Sequence, residues 1–165
     1  MENDYKSAKV YFNQDIFYII TISSGGMSFS DFDAERYYHA KDVSNEKLGE
    51  SIFKALRASR KITPESFLEL FHSGVIQKRG EEETQYAINR FGYKNKRQLC
   101  RKMDGCGVSL TSNKIEITPT HHDSLEGYSS VKGQFESIFL SKDVSNEELG
   151  AAVREGLSRC TSSVK

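Results

Sequence analysis

Hydrophobic and polar positions recur with two periods along this chain of 165 residues. Ala8–Phe12 sets Val10 and Phe12 against polar neighbours, and Asp15–Ile22 is rich in Ile, Phe and Tyr. Both read as strands, with Asn13-Gln14 as the turn of a hairpin. Ser23–Asp33 reads as a loop punctuated by Gly25-Gly26, and Glu35–His39 as a further strand. The period then lengthens: Leu48, Ile52, Phe53 and Leu56 lie on one face of a helix that runs to about Arg60. Thr63-Pro64-Glu65 starts a second helix, striped by Phe67, Leu68, Leu70 and Phe71 and stopped by Gly74. Val75–Glu83 is polar and reads as an exposed linker, followed by short helical stretches near Glu83–Phe91 and Asn95–Met103. Cys106, Val108 and Leu110, then Ile115 and Ile117, alternate across a turn at Thr111–Lys114, and Pro119 ends the hairpin. His121–Lys132 reads as a loop, Phe135–Leu140 as a strand and the remainder, to about Cys160, as a closing helix. The whole predicts a single α+β domain over residues 1–165, its sheet mainly antiparallel with helices packed on one face.

One phrase occurs twice: KDVSNEKLG at Lys41–Gly49 and KDVSNEELG at Lys142–Gly150, 101 residues apart. A strand-like segment precedes each copy and an amphipathic segment follows it, so the chain repeats a strand–turn–helix unit. Ser44 and Ser145 are placed as N-caps, with Glu46 and Glu147 favourably at the positive end of each helix dipole. Val43 with Leu48, and Val144 with Leu149, have the spacing of a hydrophobic staple. Only the second copy has a glutamate, Glu148, where a capping box needs one. These features describe two capped helices seated on a core. How the two units cross is open at this level.

Composition narrows the class. Hydrophobic residues make up 37% and charged residues 28%, as in an ordinary globular domain large enough for its own core. Ile16–Ile22, interrupted by Thr21, falls far short of the ~20 apolar residues of a membrane span. The opening MENDYKSAK lacks an apolar signal region, which makes the cytoplasm the expected location. Three cysteines, an odd number without a CxxC pair, suit reduced thiols. A formal net charge of zero argues against a generally basic nucleic-acid binder.

Candidate chemistry is sparse. His121-His122-Asp123 is poorly spaced for shared metal ligation, because neighbours on a strand point to opposite faces. No nucleophile elbow, cysteine-protease signature or phosphate loop accompanies Cys100, Cys106 or the glycine pair. Neither a catalytic residue nor a cofactor or metal is expected. Arg90, Lys94, Lys96, Arg97, Arg101 and Lys102, interleaved with Phe91 and Tyr93, could bind phosphates and stack bases. A nucleic-acid-binding module built on residues 90–102 is therefore the alternative function. Acidic residues cluster at Asp31, Asp33 and Glu35, at Glu81, Glu82 and Glu83, and at Asp123 and Glu126. Exposed carboxylates on loops can steer a basic partner. Phe29, Phe32 and Tyr128 could serve beside them as aromatic anchors.

The second half resembles the CdiI family of contact-dependent growth inhibition immunity proteins. The resemblance is carried by Tyr93-Lys94-Asn95-Lys96 with Leu99, by Val108-Ser109-Leu110, and by Ile115 through Pro119 with His122. Leu125-Glu126-Gly127-Tyr128, Val144 through Gly150, and Leu157-Ser158-Arg159-Cys160 complete it. It is clearest over residues 90–160; the first half agrees in length and layout. Where the family pattern places Trp after the Glu-Gly pair, this chain has Tyr128 and no Trp at all. The resemblance implies a cytoplasmic, non-catalytic protein, monomeric by itself, that neutralises one toxin by stoichiometric complex formation. The partner would be the C-terminal domain of a large exported CdiA-type protein, in many cases a basic nuclease. It implies no membrane association and no direct contact with nucleic acid.

Overall fold

Asn13 closes the first hairpin with its side chain, its Oδ1 accepting the backbone N–H groups of Asp15 and Ile16 at 3.1 and 2.9 Å. Gln14 takes a φ of 80° at the tip, and strands β1 (Lys6–Phe12) and β2 (Ile16–Ser24) pair on either side. The computed structural model describes residues 5–129 and 136–164. The end of the expected His121–Lys132 loop and Phe135, the expected start of the last strand, lie outside those residues, as do the first four.

The glycine-rich loop is more ordered than its composition suggests. Its centre forms β3 (Ser28–Ser30), which turns back on the end of β2 and buries Phe29 against Phe67, ring centres 5.8 Å apart. β4 (Tyr37–Ala40) pairs with the other end of β2. Helix α1 (Asn45–Ala58) starts where Ser44 Oγ accepts the Lys47 N–H at 3.1 Å. α2 (Pro64–Ser73) is capped by Thr63 and ends at Gly74, whose φ of 77° a side chain would resist. The expected polar linker is instead helical: α3 runs over Val75–Phe91. Gln, Lys, Arg and Glu are good helix formers, but only Ala87 and Ile88 are fully buried, so the segment shows almost no apolar period. α4 (Lys96–Cys100) follows, capped by Asn95.

β5 (Asp104–Leu110) and β6 (Lys114–Pro119) form the second hairpin. The expected loop after Pro119 contains another, β7 (His121–Ser124) with β8 (Gly127–Ser129). Its residues are polar because only His122 is fully buried, which hides the strand period. β9 (Ile138–Ser141), α5 (Asn146–Ser158) and the short β10 (Thr161–Ser162), parallel to β7, complete the chain. Ser145 Oγ caps α5 by accepting the Glu148 N–H at 3.1 Å; no return bond from the Glu148 carboxylate completes the box. The main sheet runs β3-β2-β1-β5-β6-β9, with β4 also on β2, and every pairing is antiparallel.

The two halves share one pairing scheme. β1 meets β5 with Lys6 opposite Leu110 and Phe12 opposite Asp104, so a shift of 98 residues, Lys6 to Asp104, maps this pairing onto itself. The same shift carries the Val10–Ile19 pair onto Val108–Ile117. Ile16 opposite Ala40 corresponds to Lys114 opposite Ser141, and from Ala40 onward the shift is 101, that of the repeated phrase. α1 and α5 then lie together on one sheet face, sealing a core of Val10, Phe17, Ile19, Leu48, Ile52, Val108, Ile115, Ile117, Leu149 and Val153.

The helices cross at the repeated phrase itself. A Cβ on Gly49 would stand 1.9 Å from the carbonyl oxygen of Asn146, and one on Gly150 would stand 2.1 Å from that of Asn45. Asn45 donates to Glu147 at 3.4 Å and Asn146 to Glu46 at 3.1 Å, the same exchange seen from either side. Each letter thus has a packing role: Ser caps, Asn and Glu bond across, Leu fills the core and Gly admits the opposite backbone. Helices cover both faces of the sheet, not one. α3 and α4 seat Ala87, Ile88 and Leu99 on Ile16 and Tyr38, on the side away from α1 and α5.

Candidate partner interface

Strand alternation directs Phe17 and Ile19 into the core and leaves Tyr18 facing the opposite way. Tyr11 on β1 and Tyr38 on β4 face that side too, and Tyr128 on β8 leans over them. Their rings form a continuous row, with centres 6.0 Å apart for Tyr11–Tyr18, 4.9 Å for Tyr18–Tyr38 and 5.4 Å for Tyr11–Tyr128. Tyr128 also stacks on His122 at 4.5 Å, and Gly105 leaves the room that Tyr11 occupies. Between this row, α3 and α4 lies a cavity of about 380 Å³ whose wall includes Phe32, Glu81, Glu83, Lys96, Cys100 and Glu126. Burial pushes the Tyr11 phenol up to about 12 and raises those of Tyr18, Tyr38 and Tyr128, so all four stay neutral near pH 7.

The acidic candidates separate into a supporting set and a presented set. Asp31 is not an exposed loop residue: it is 2% exposed and accepts from Ser23 Oγ at 2.6 Å and Arg60 Nε at 2.7 Å. Burial pushes its carboxyl up, but the hydrogen bonds from Arg60 and Ser23 outweigh this and hold it below the ordinary value. Phe29 is likewise buried, because β3 turns its ring inward. Glu83 sits on a helix, not a linker, and is largely covered. It pairs with Arg36 at 2.8 Å and accepts from Tyr38 Oη at 2.7 Å. Glu81 and Glu82 are exposed on the same helix, and Glu35 and Asp123 are exposed elsewhere. Asp33 is exposed but held by Arg60 at 3.1 Å and Arg79 at 2.6 Å. Phe32 is half-buried, with the guanidinium groups of Arg36 and Arg79 at 5.7 and 5.8 Å from its ring centre. Glu126 pairs with Lys96.

The cavity therefore gathers Phe32, Glu81, Glu83, Glu126 and Tyr128 from three separate stretches of sequence. Tyr11, Tyr18 and Tyr38 were not singled out by sequence reasoning. Their signal was a tyrosine on the far phase of three strands.

Of the other sequence candidates, Lys96 and Cys100 line the cavity, and the histidines do not. His122 is 1% exposed with Nε2 on the Leu125 carbonyl at 3.0 Å, whereas His121 bonds the hydroxyls of Thr161 and Ser163. Among the described residues no group of three or more His, Cys, Asp or Glu is placed to hold a metal ion. In the basic segment Arg90 spreads over the rings of Tyr38, Tyr86 and Phe91, and Lys96 serves Glu126, while Arg101 and Lys102 are exposed. Cys106 and Cys160 touch at 3.8 Å. Burial raises the Cys100 thiol, which leaves it in its protonated, weakly nucleophilic form. No described helix is long and apolar enough to cross a membrane.

Neutral phenols, a ring face and carboxylates thus share one cavity of a small α+β protein. The pattern defining the CdiI family, described as CDI immunity protein, matches residues 6–160, and the chain belongs to that family. The match extends through the first half, where individual residues had shown less. The chain is 32% identical over 167 residues to immunity protein CdiI-YPIII of Yersinia pseudotuberculosis serotype O:3 (strain YPIII), covering 93% of this chain and 94% of that protein. A protein of unknown function from Neisseria meningitidis has the same fold, with a TM-score of 0.86 and 29% identity over 94% of this chain and 95% of its own. The CdiA-CT/CdiI toxin and immunity complex from Yersinia pseudotuberculosis matches with a TM-score of 0.85 and 28% identity, over 95% of this chain and 98% of that one.

Proposed function

We propose that this chain binds the C-terminal toxin domain of a CdiA-type exported protein and neutralises it as a stoichiometric complex in the cytoplasm. It acts as a monomer outside that complex and performs no catalysis. The observation that carries this reading is the likeness, over nearly the whole length, to a chain of a solved toxin and immunity complex. The toxin is taken to be a basic nuclease, met by the presented carboxylates Asp33, Glu35, Glu81, Glu82, Asp123 and Glu126, with Phe32 and Tyr128 as aromatic anchors. Asp31, Glu83 and Phe29 support this surface from behind. An interface of about 1,200–2,000 Å² with a few desolvated anchors is enough for tight occlusion.

The test is calorimetry with the toxin domain encoded immediately upstream of this chain's gene, with a nucleic-acid cleavage assay beside it. One-to-one binding with a Kd at or below about 1 nM, roughly −12 kcal/mol, and loss of cleavage are expected. Absence of binding, or binding with full toxin activity, would refute the proposal.

A further inference from the structure

We infer that the tyrosine-walled cavity receives one basic side chain, Lys or Arg, from the toxin domain; this rests on the toxin-binding reading above. Three features of the cavity select that occupant. Its carboxylates are unequally served: Glu83 has Arg36 and Glu126 has Lys96, but Glu81 has no cation among the described residues and meets only the Gln77 amide at 3.4 Å. Its hydroxyls are unequally served too. Tyr38 donates to Glu83 and Tyr128 to the Met103 carbonyl, while those of Tyr11 and Tyr18 hydrogen-bond no described residue. Its rings already hold cations elsewhere on their margins, Arg36 and Arg79 over Phe32 and Arg90 over Tyr38.

A basic side chain answers all three at once. Its aliphatic stem lies along rings, its charge meets Glu81, and its N–H groups donate to phenol oxygens that otherwise lack partners. An anion would meet carboxylates, and an apolar side chain would cover the Tyr11 and Tyr18 hydroxyls without giving them partners. At about 380 Å³ the space lies near the lower end of the ~300–1,000 Å³ range of ligand sites, suited to a single long side chain. Gly80 helps to keep it open. It occupies the interior of α3 without a positive φ, and a Cβ there would meet only the Phe32 ring, at 3.6 Å.

The test compares the affinity of the upstream-encoded toxin domain for the wild-type chain and for Glu81→Gln, the double variant Tyr11→Phe/Tyr18→Phe, and Gly80→Leu. Lys47→Gln, on α1 across the molecule, is the control, and a melting curve accompanies each protein. Glu81→Gln and the double phenylalanine variant should each weaken binding by about tenfold or more. Gly80→Leu should weaken it by more than about a hundredfold while melting no lower than wild type, since leucine is the better helix former. On the toxin, one Lys or Arg replaced by Met should reproduce the Glu81→Gln loss, and combining the two should cost less than their sum. If wild type fails to bind, the functional reading falls and this inference with it. If wild type binds and the folded cavity variants bind equally well, the inference alone is overturned. Should Gly80→Leu unfold, the Glu81 and tyrosine variants decide the matter by the same criterion.

Discussion

Gly49→Ala puts one methyl group where the opposite helix passes. Its Cβ would lie 1.9 Å from the Asn146 carbonyl oxygen and 2.6 Å from that carbonyl carbon, against a practical lower limit of 3.0 Å. The obstacle is backbone, so no side chain can rotate away, and α1 and α5 must part by about 1.1 Å at the crossing. A radial gap of that size forfeits a quarter to a half of the dispersion between facing atoms, here along Leu48, Ile52, Leu149 and Val153. Overpacking of this kind costs about 1–3 kcal/mol, and a rigid obstacle belongs at the upper end. Alanine's better helix propensity returns up to about 1 kcal/mol. The net loss is about 2 kcal/mol, a drop in Tm of roughly 4–8 °C for a domain of this size. Urea and thermal unfolding followed by circular dichroism measure it. Gly150→Ala should cost a similar amount, since its Cβ meets Asn45 in the same way. The double variant should cost less than the sum, because helices already parted accept the second methyl. A Gly49→Ala protein more stable than wild type by about 1 kcal/mol would refute the close approach, since that is the result propensity alone gives.

The same structure sets four further outcomes. Gly80→Ala on α3, whose Cβ would make only an ordinary van der Waals contact with the Phe32 ring, should stabilise the chain by about 1 kcal/mol in the same unfolding assay. The Asp31 carboxyl is held below its ordinary value, so its contribution to stability is complete above the unfolded-state value of about 4 and fades as pH falls through the folded one. Asp31→Asn should accordingly lose about 2 kcal/mol at pH 7, discounted for an Arg60 side chain that is 46% exposed, and should flatten the acid limb of a stability-versus-pH curve. The thiol–thiol contact between Cys106 and Cys160 lowers the Cys160 thiol, whereas the Cys106 thiol is raised by that same contact and by burial, and Cys100 is raised by burial. Limited iodoacetamide treatment followed by peptide mass spectrometry should find Cys160 labelled first. Charge reversal at Arg97 and Arg101 together should leave toxin neutralisation intact; abolished neutralisation, or salt-sensitive binding of an oligonucleotide by wild type that the reversal removes, would favour a nucleic-acid module.

Local chemistry was legible in the sequence wherever one segment carried its own signal. Both hairpins, the N-caps at Ser44, Ser145 and Thr63, and the stop at Gly74 follow from residues within a few positions of each other. Elements whose order comes from a distant surface were missed. β3 exists because Phe67 receives Phe29, and α3 because one thin face meets Ile16 and Tyr38 while the rest stays polar. β7 and β8 hid their period behind a single buried histidine.

The candidate site divides along the same line. Its residue types, carboxylates beside aromatic rings, were visible as composition, but composition is blind to which side chains point inward. Only the tertiary structure withdrew Asp31, Phe29 and most of Glu83 from the surface, because their partners Arg60, Phe67 and Arg36 lie 29, 38 and 47 residues away in the chain. It alone assembled Tyr11, Tyr18, Tyr38 and Tyr128 around one cavity, since strand pairing, not sequence proximity, sets which side chains become neighbours. The repeated phrase shows both levels in nine letters. As sequence it determined two helix starts, because capping is a bond between a side chain and its own next turn. That Gly49 and Gly150 serve each other is a property of the crossing, which no local interaction encodes.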